Sequence, residues 1–387
     1  MGSLRYLTAG ESHGPALTVI VEGLPSGLEV TPEALSSELA RRRQGYGRGA
    51  RMKLEADKLQ ILGGIRHGRT LGSPVSMVVH NTEWEKWSHA MSPTPPEDEP
   101  KPLTRPRPGH ADLVGMLKYG HRDARNVLER ASARETAART VAGTLAKLLL
   151  ARIGAEFVSH VVAVGGVWSK SENLPAPGDV EGIEASPVRC FDPVAETEMI
   201  AAIEAAKADG DTLGGVFEVV VHGLPPGLGS YVHWDRKIDG RLAQALLSVN
   251  AMKAVAVGDG LEAGSVRGSE AHDEIFWDEE RGYHRGTNRA GGIEGGVTTG
   301  DPLRMRVVMK PLSTLRKALR TVDVETKEEA IAIVERTDTC AVPSACVIGE
   351  SVAAFVLADA ALEKFGGDSV DEFVGAHRSW LEALQKA

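Results

Sequence analysis

Apolar and polar positions alternate along short stretches near the start of the chain, and that period of two predicts strands. Leu4 to Ala9 reads as one strand, running into Gly10-Glu11-Ser12-His13-Gly14. Leu17 to Val21 reads as a second, closed by the turn Gly23-Leu24-Pro25-Ser26-Gly27. Thr31-Pro32-Glu33 starts a helix with proline in its first turn, and that helix runs to Arg43. Leu59 to Ile61 and Pro74 to Val79 predict further strands, whereas residues 82–106 are proline-rich, acidic and aperiodic, as in a long loop or lid. Ala142 to Leu150 is an apolar helix. Residues 151–212 hold a strand near Val158 to Val164, a polar Pro/Gly stretch and an Ala-rich helix near Glu196 to Lys207, and read as a connector or insertion. Leu303 to Met309 predicts a strand, about Lys327 to Glu335 a helix, and Ser351 to Lys364 a last apolar helix.

The pattern repeats. Val-Glu-Gly-Leu-Pro-Ser-Gly-Leu at 21–28 returns as Val-His-Gly-Leu-Pro-Pro-Gly-Leu at 221–228. Gly63-Gly64-Ile65, Gly68, Thr70, Gly72, Pro74 and Met77 return as Gly291-Gly292-Ile293, Gly296, Thr298, Gly300, Pro302 and Met305. Matches in register at residues other than glycine predict a duplicated strand-turn-helix-strand unit. Its copies span about 4–150 and 213–365, and residues 1–387 close into one α+β domain. The second copy carries extra Gly-rich sequence around residues 258–292.

Composition narrows the class. An apolar content of 42% and a charged content of 25% are those of a soluble globular chain. No stretch approaches 18 uninterrupted apolar residues, and the start has no apolar signal region, so neither membrane nor secretion is expected. Three cysteines fit no disulfide framework or zinc spacing, which points to a reducing cytoplasm. Against a net charge of −9, residues 105–143 carry eight basic and four acidic side chains, and residues 41–53 carry six basic side chains and no acid. Cationic islands in an acidic chain suit a small polyanion. A nucleic-acid-binding module is the rival reading, weakened by the acidic balance.

His13 between glycines, His110 after Pro108-Gly109, and Asp338 beside Arg336 are the candidate catalytic groups. An imidazole among arginines can donate a proton once an anion arrives, which helps phosphate leave. His121, His222 and His284 have weaker settings and read as structural. Gly258-Asp259-Gly260 with Gly264 has the wrong spacing for a dinucleotide fingerprint, and His272-Asp273-Glu274 is adjacent rather than convergent, so no metal site is expected.

Gly10-Glu11-Ser12-His13-Gly14, Arg41-Arg42-Arg43 with Gly47-Arg48, Arg107-Pro108-Gly109-His110-Ala111-Asp112, Arg130 to Thr136, Gly258-Asp259-Gly260, Asn288 to Gly296 and Arg336-Thr337-Asp338 together resemble the chorismate synthase family. The resemblance covers about residues 3–365. It implies 1,4-elimination of phosphate from 5-enolpyruvylshikimate 3-phosphate, giving chorismate for aromatic amino-acid biosynthesis. Reduced FMN is required without net redox, and NADPH is an optional source of reduction. It also implies helices packed between antiparallel sheets, and a homotetramer. Carried over by motif, His110 protonates departing phosphate, His13 keeps the flavin protonated, and Asp338 assists proton removal. Flavin contacts fall on Arg130, Ala131, Ser132, Asn250, Ala251, Gly295, Lys310, Pro311, Leu312, Ser313, Thr314 and Arg336. Arg42 and Arg48 are assigned to substrate or NADPH, and Arg48 with Arg134 to the substrate's anionic groups. A shikimate-phosphate sensor without turnover is the remaining alternative.

Overall fold

The computed structural model describes residues 4–48, 57–98, 100–171, 173–317, 319–334 and 338–386. Strands β1 (Arg5–Ala9) and β2 (Ala16–Glu22) form where alternation predicts them, because Leu17, Val19 and Val21 share the buried face of one pleat. Helix α1 (Pro32–Arg43) is capped by Thr31, whose side chain accepts from the Ala34 N–H, and places Arg41, Arg42 and Arg43 in its last turn. Strand β3 (Lys58–Gly63), the small hairpin of β4 (Ile65–Arg66) and β5 (Arg69–Thr70), and β6 (Val75–His80) follow. β1, β2, β6 and β3 make one antiparallel sheet in that order.

The cationic stretch is not one helix. It divides into α3 (Asp112–Tyr119) and α4 (Arg125–Ala131), after a one-turn helix α2 (Trp84–Trp87) in the proline-rich segment. α5 (Thr136–Ala151) completes the stretch. Gly120, at φ 70°, ends α3 in the left-handed region, and Ser132 leaves helical geometry after α4.

The second half repeats this order. β7 (Glu156–Val164), with the short β8 (Val167–Trp168), is followed by β9 (Gly215–His222), α8 (Ile238–Leu247), β10 (Met252–Val257), the hairpin of β13 (Ile293–Glu294) and β14 (Val297–Thr298), and β15 (Leu303–Met309). Between β8 and β9 run α6 (Val180–Ala185) and α7 (Pro193–Ala208). Between β10 and β13 lie the short helix α9 (Gly268–Ala271) and the hairpin of β11 (Ile275–Asp278) and β12 (Gly282–Arg285). The sheet order β7-β9-β15-β10 matches β1-β2-β6-β3 position for position. Segment 151–212, expected as a connector, therefore supplies β7, the topological partner of β1.

Helix α10 (Val342–Phe365) runs through the core against α5. A Cβ at Gly143 would sit 2.4 Å from the Ser351 Cα, so these two backbones touch and only glycine fits at 143. By length and composition α10 could cross a membrane, but 94% of its apolar 18-residue window is buried among the protein's own elements. Helix α11 (Val370–Leu384) follows and touches both repeated turns. Ser26 exchanges backbone hydrogen bonds with Asp368 and Val370, and the Trp380 indole donates to the Pro226 carbonyl.

One expected helix is absent. Of about 327–335, the described residues form a hairpin of β16 (Arg320–Val322) and β17 (Glu329–Ile331). Asp323 decides this: its carboxylate accepts from the Glu325 and Thr326 N–H groups and from the Thr104 hydroxyl. Such a local side-chain turn competes with helix formation.

Candidate active site

The segments joining β6 to α5 and β15 to α10 both run over one end of the α5–α10 core, and between them lies a cavity of about 720 Å³. That is within the range of about 300–1,000 Å³ usual for small-molecule sites. Of the residues named from sequence, His13, Arg42, Arg48, His110, Ala131, Ser132, Arg134, Asn250, Ala251, Lys310, Leu312, Ser313, Thr314 and Asp338 line it. Three do not. Arg130 turns to the Thr8 side chain and to the Thr8 and Gly10 carbonyls, Gly295 sits at the turn of the β13–β14 hairpin, and Pro311 is not on the wall. Arg336 lies outside the described residues, as does the end of the basic run from residue 49.

Asp57 organises the arginines. Its buried carboxylate pairs with Arg42 at 3.0 Å, with Arg134, and with Arg43 at 3.7 Å. Burial opposes its charge, but Arg42 and Arg134 outweigh that and hold the carboxyl below its ordinary range. Arg48 reaches Asp338 at 3.1 Å, so the acid expected beside Arg336 faces a guanidinium from the other half of the chain. Asn81, which follows β6, accepts from Arg134 Nε and donates to the Glu11 and Gly14 carbonyls, tying the His13 turn to this cluster.

Each candidate histidine is held at Nδ1 by a buried carboxylate. His110 Nδ1 faces Asp112 Oδ1, and Asp112 also accepts from the Arg107 Nε at 2.8 Å, Nη2 at 3.1 Å and backbone N–H at 3.1 Å. Burial works against that anion, yet the bonds from His110 and Arg107 prevail and keep it ionised far below the usual carboxylate range. Thr314 fixes the other end of Arg107 at 2.9 Å, and Lys310 donates to the Gly109 carbonyl at 2.6 Å. His13 Nδ1 lies 2.9 Å from Glu129 Oε2, which also accepts the His13 backbone N–H. Burial again raises, and the His13 hydrogen bond again lowers, the Glu129 carboxyl, with a net fall. An ionised acceptor at Nδ1 assigns the proton there and makes Nε2 the exchanging atom of each ring.

Part of the lining is apolar. Val249, Met252, Met309 and Ile348 belong to it, and Ala251 is held at φ 69°, a conformation that costs a non-glycine residue and clusters at binding sites. Asn250 donates to the Ala131 carbonyl at 2.9 Å, while its buried Oδ1 has no partner among the described residues. Sequence reasoning missed Asp57, Glu129 and Asn81, which reach Arg134, His13 and Arg134, respectively, from far along the chain. Asp112, two residues from His110 in the same motif, was within reach.

Paired histidine–carboxylate units and clustered guanidinium groups around one cleft are the features of an enzyme acting on a small molecule. The family model described as chorismate synthase matches residues 4–362. Curated relatives called chorismate synthase include those of Salinispora tropica, 57% identical over 98% of this chain and 99% of the relative, and Symbiobacterium thermophilum, 57% identical over 99% and 100%. A crystal structure of chorismate synthase superimposes with a TM-score of 0.81 at 40% identity, covering 99% of each chain. The chain belongs to the chorismate synthase family, and thereby to the carbon–oxygen lyases.

Proposed function

We propose that this chain eliminates phosphate from 5-enolpyruvylshikimate 3-phosphate to give chorismate, with reduced FMN bound in the same cavity. The observation that carries the reading is the convergence of His13, His110, Arg42, Arg48, Arg107 and Arg134 on one cavity, with both imidazoles fixed at Nδ1. A substrate with two carboxylates and a phosphate wants several guanidinium forks. His110 Nε2 delivers the proton to the leaving phosphate oxygen, and Arg107 and Lys310 brace the turn that presents it. Arg48 and Arg134 take the substrate's anionic groups, and Asp338, beside Arg48, stands where it can accept a proton.

The apolar wall, the strained Ala251 and the unpartnered Asn250 oxygen fit a flavin ring, with Lys310, Ser313 and Thr314 at hand for its polar end. When bound, reduced FMN supplies electron density that eases departure of phosphate and is returned, so no net redox results. His13 Nε2 holds or returns a proton beside that ring. The four-stranded sheet leaves Leu7, Ile20 and Leu62 uncovered on its outer face, which supports self-association; the homotetramer is the form the family resemblance implies. Three buried free thiols support a reducing cytoplasm.

Anaerobic turnover with chemically reduced FMN, with and without NADPH, tests the reading. Turnover without NADPH is expected, and binding of both ligands with no chorismate formed would leave a sensor. His110→Ala should fold and bind FMN yet lose turnover by about 10²-fold or more. An undiminished rate removes its role.

A further inference from the structure

Three side chains, Trp87, Arg125 and Glu129, close a ring of contacts with His13. The Trp87 indole stacks on the imidazole, with centroids 4.1 Å apart and planes 28° from parallel. The Arg125 guanidinium lies 4.9 Å from the Trp87 ring centroid and donates to Glu129 Oε1 at 2.9 Å. Glu129 returns to His13 through Nδ1 and the backbone N–H, and its own carbonyl accepts from the Ser12 N–H at 3.0 Å. Trp87 closes α2, the single turn of helix that opens the proline-rich segment.

We infer that Trp87 and Glu129 are positioning residues for His13, so that the 82–106 segment fixes the imidazole rather than only bordering the cavity. The two act on different freedoms. A stacked indole blocks rotation of the ring about its side-chain torsions, while the ionised carboxylate assigns the Nδ1–H tautomer and leaves Nε2 to exchange the proton. Arg125 couples them, because it touches the indole and the carboxylate at once. Rotating the ring by one rotamer, or exchanging the proton between its nitrogens, removes Nε2 from productive geometry, and such misplacement costs up to about 10²-fold in rate.

This rests on the role proposed for His13, so the test separates the two. In the full-length protein without cofactor, the ring ¹⁵N signals of His13 are assigned by their loss in His13→Ala. Wild type should show a protonated Nδ1. Glu129→Gln should shift the signals toward a mixture of tautomers, and Trp87→Ala should broaden them, with Trp87→Phe restoring them. With reduced FMN and substrate, Trp87→Ala should lower kcat about tenfold, within the range that misplacement costs, and leave KM nearly unchanged. A merely structural role would lower Tm without moving the ring signals. Unchanged signals and kcat in both Trp87→Ala and Glu129→Gln overturn the inference. Unchanged turnover in His13→Ala overturns the role of His13 instead, and the ring signals still decide the positioning.

Discussion

The sheets β1-β2-β6-β3 and β7-β9-β15-β10 share strand order and antiparallel sense, yet their outer faces meet different fates. At Ile20 on β2 the side chain is 40% exposed, with Leu7 at 70% and Leu62 at 56% nearby. At Val220, its counterpart on β9 in the register of the repeated turn, exposure is 0%. The covering is supplied by Leu174, Val180, Ile183 and Phe191, all from the long connection between β7 and β9. In the first half the same connection is the short turn 10–15, and it carries His13 instead of a cover. We infer one duplicated scaffold whose corresponding connections diverged, one into the turn that carries His13 and leaves its sheet open, the other into a lining that closes its sheet.

Lysine at the matched positions gives the largest contrast. Val220→Lys places a charge with no partner among Val158 and Ile183, and should cost about 4 kcal/mol or more in urea unfolding. Ile20→Lys should change the stability of the single chain by no more than about 0.5 kcal/mol, as for an exposed site. It should instead shift sedimentation toward smaller species. Equal destabilisation by both would end the distinction between the faces.

Acid sharpens the same contrast at the next matched pair, Thr18 and Glu218. Glu218 is buried, which raises its carboxyl, but hydrogen bonding from His160 and the charges of Arg304 and Arg306 bring it down to about 2 from its ordinary 4.5. A depressed folded-state value contributes stability that is complete above about 4.5 and is lost as pH falls toward about 2. Glu218→Gln should therefore flatten that part of the stability–pH curve. Thr18→Val, at the same place in the first sheet, should leave its shape alone.

These pairs also mark what could be read from the sequence. β2 was legible because alternation and the Gly-Leu-Pro turn act locally, whereas β9, buried on both faces, was legible only through the return of that turn at 221–228. β7 was not recognised as the partner of β1, since its strand residues carry no matching motif and only sheet position relates them. The hairpin at 320–331 was hidden because Asp323 gains a partner in Thr104, far back in the chain. The site divides the same way. His13 and His110 announce themselves through glycine-bearing turns, whereas Asp57 and Glu129 matter only once folding brings them to Arg134 and His13.

The smallest effect is the most exacting test of correspondence. Thr70 Oγ1 donates to the Pro25 carbonyl at 2.6 Å and accepts from the Leu28 N–H at 2.9 Å, while Thr298 Oγ1 does the same with Pro225 and Leu228, both at 2.8 Å. Backbone bonds at the two threonines match as well, from Gly27 and to Leu28 in one half, from Gly227 and to Leu228 in the other. Valine keeps the shape and strands a buried carbonyl and N–H, so Thr70→Val and Thr298→Val should each cost about 1–3 kcal/mol. Among the described residues the two threonines share no hydrogen-bond partner, so the double variant should show the sum to within about 0.5 kcal/mol. A neutral effect at one threonine beside a full loss at the other would mean that one turn is held by other contacts, with α11, which touches both, as the first place to look.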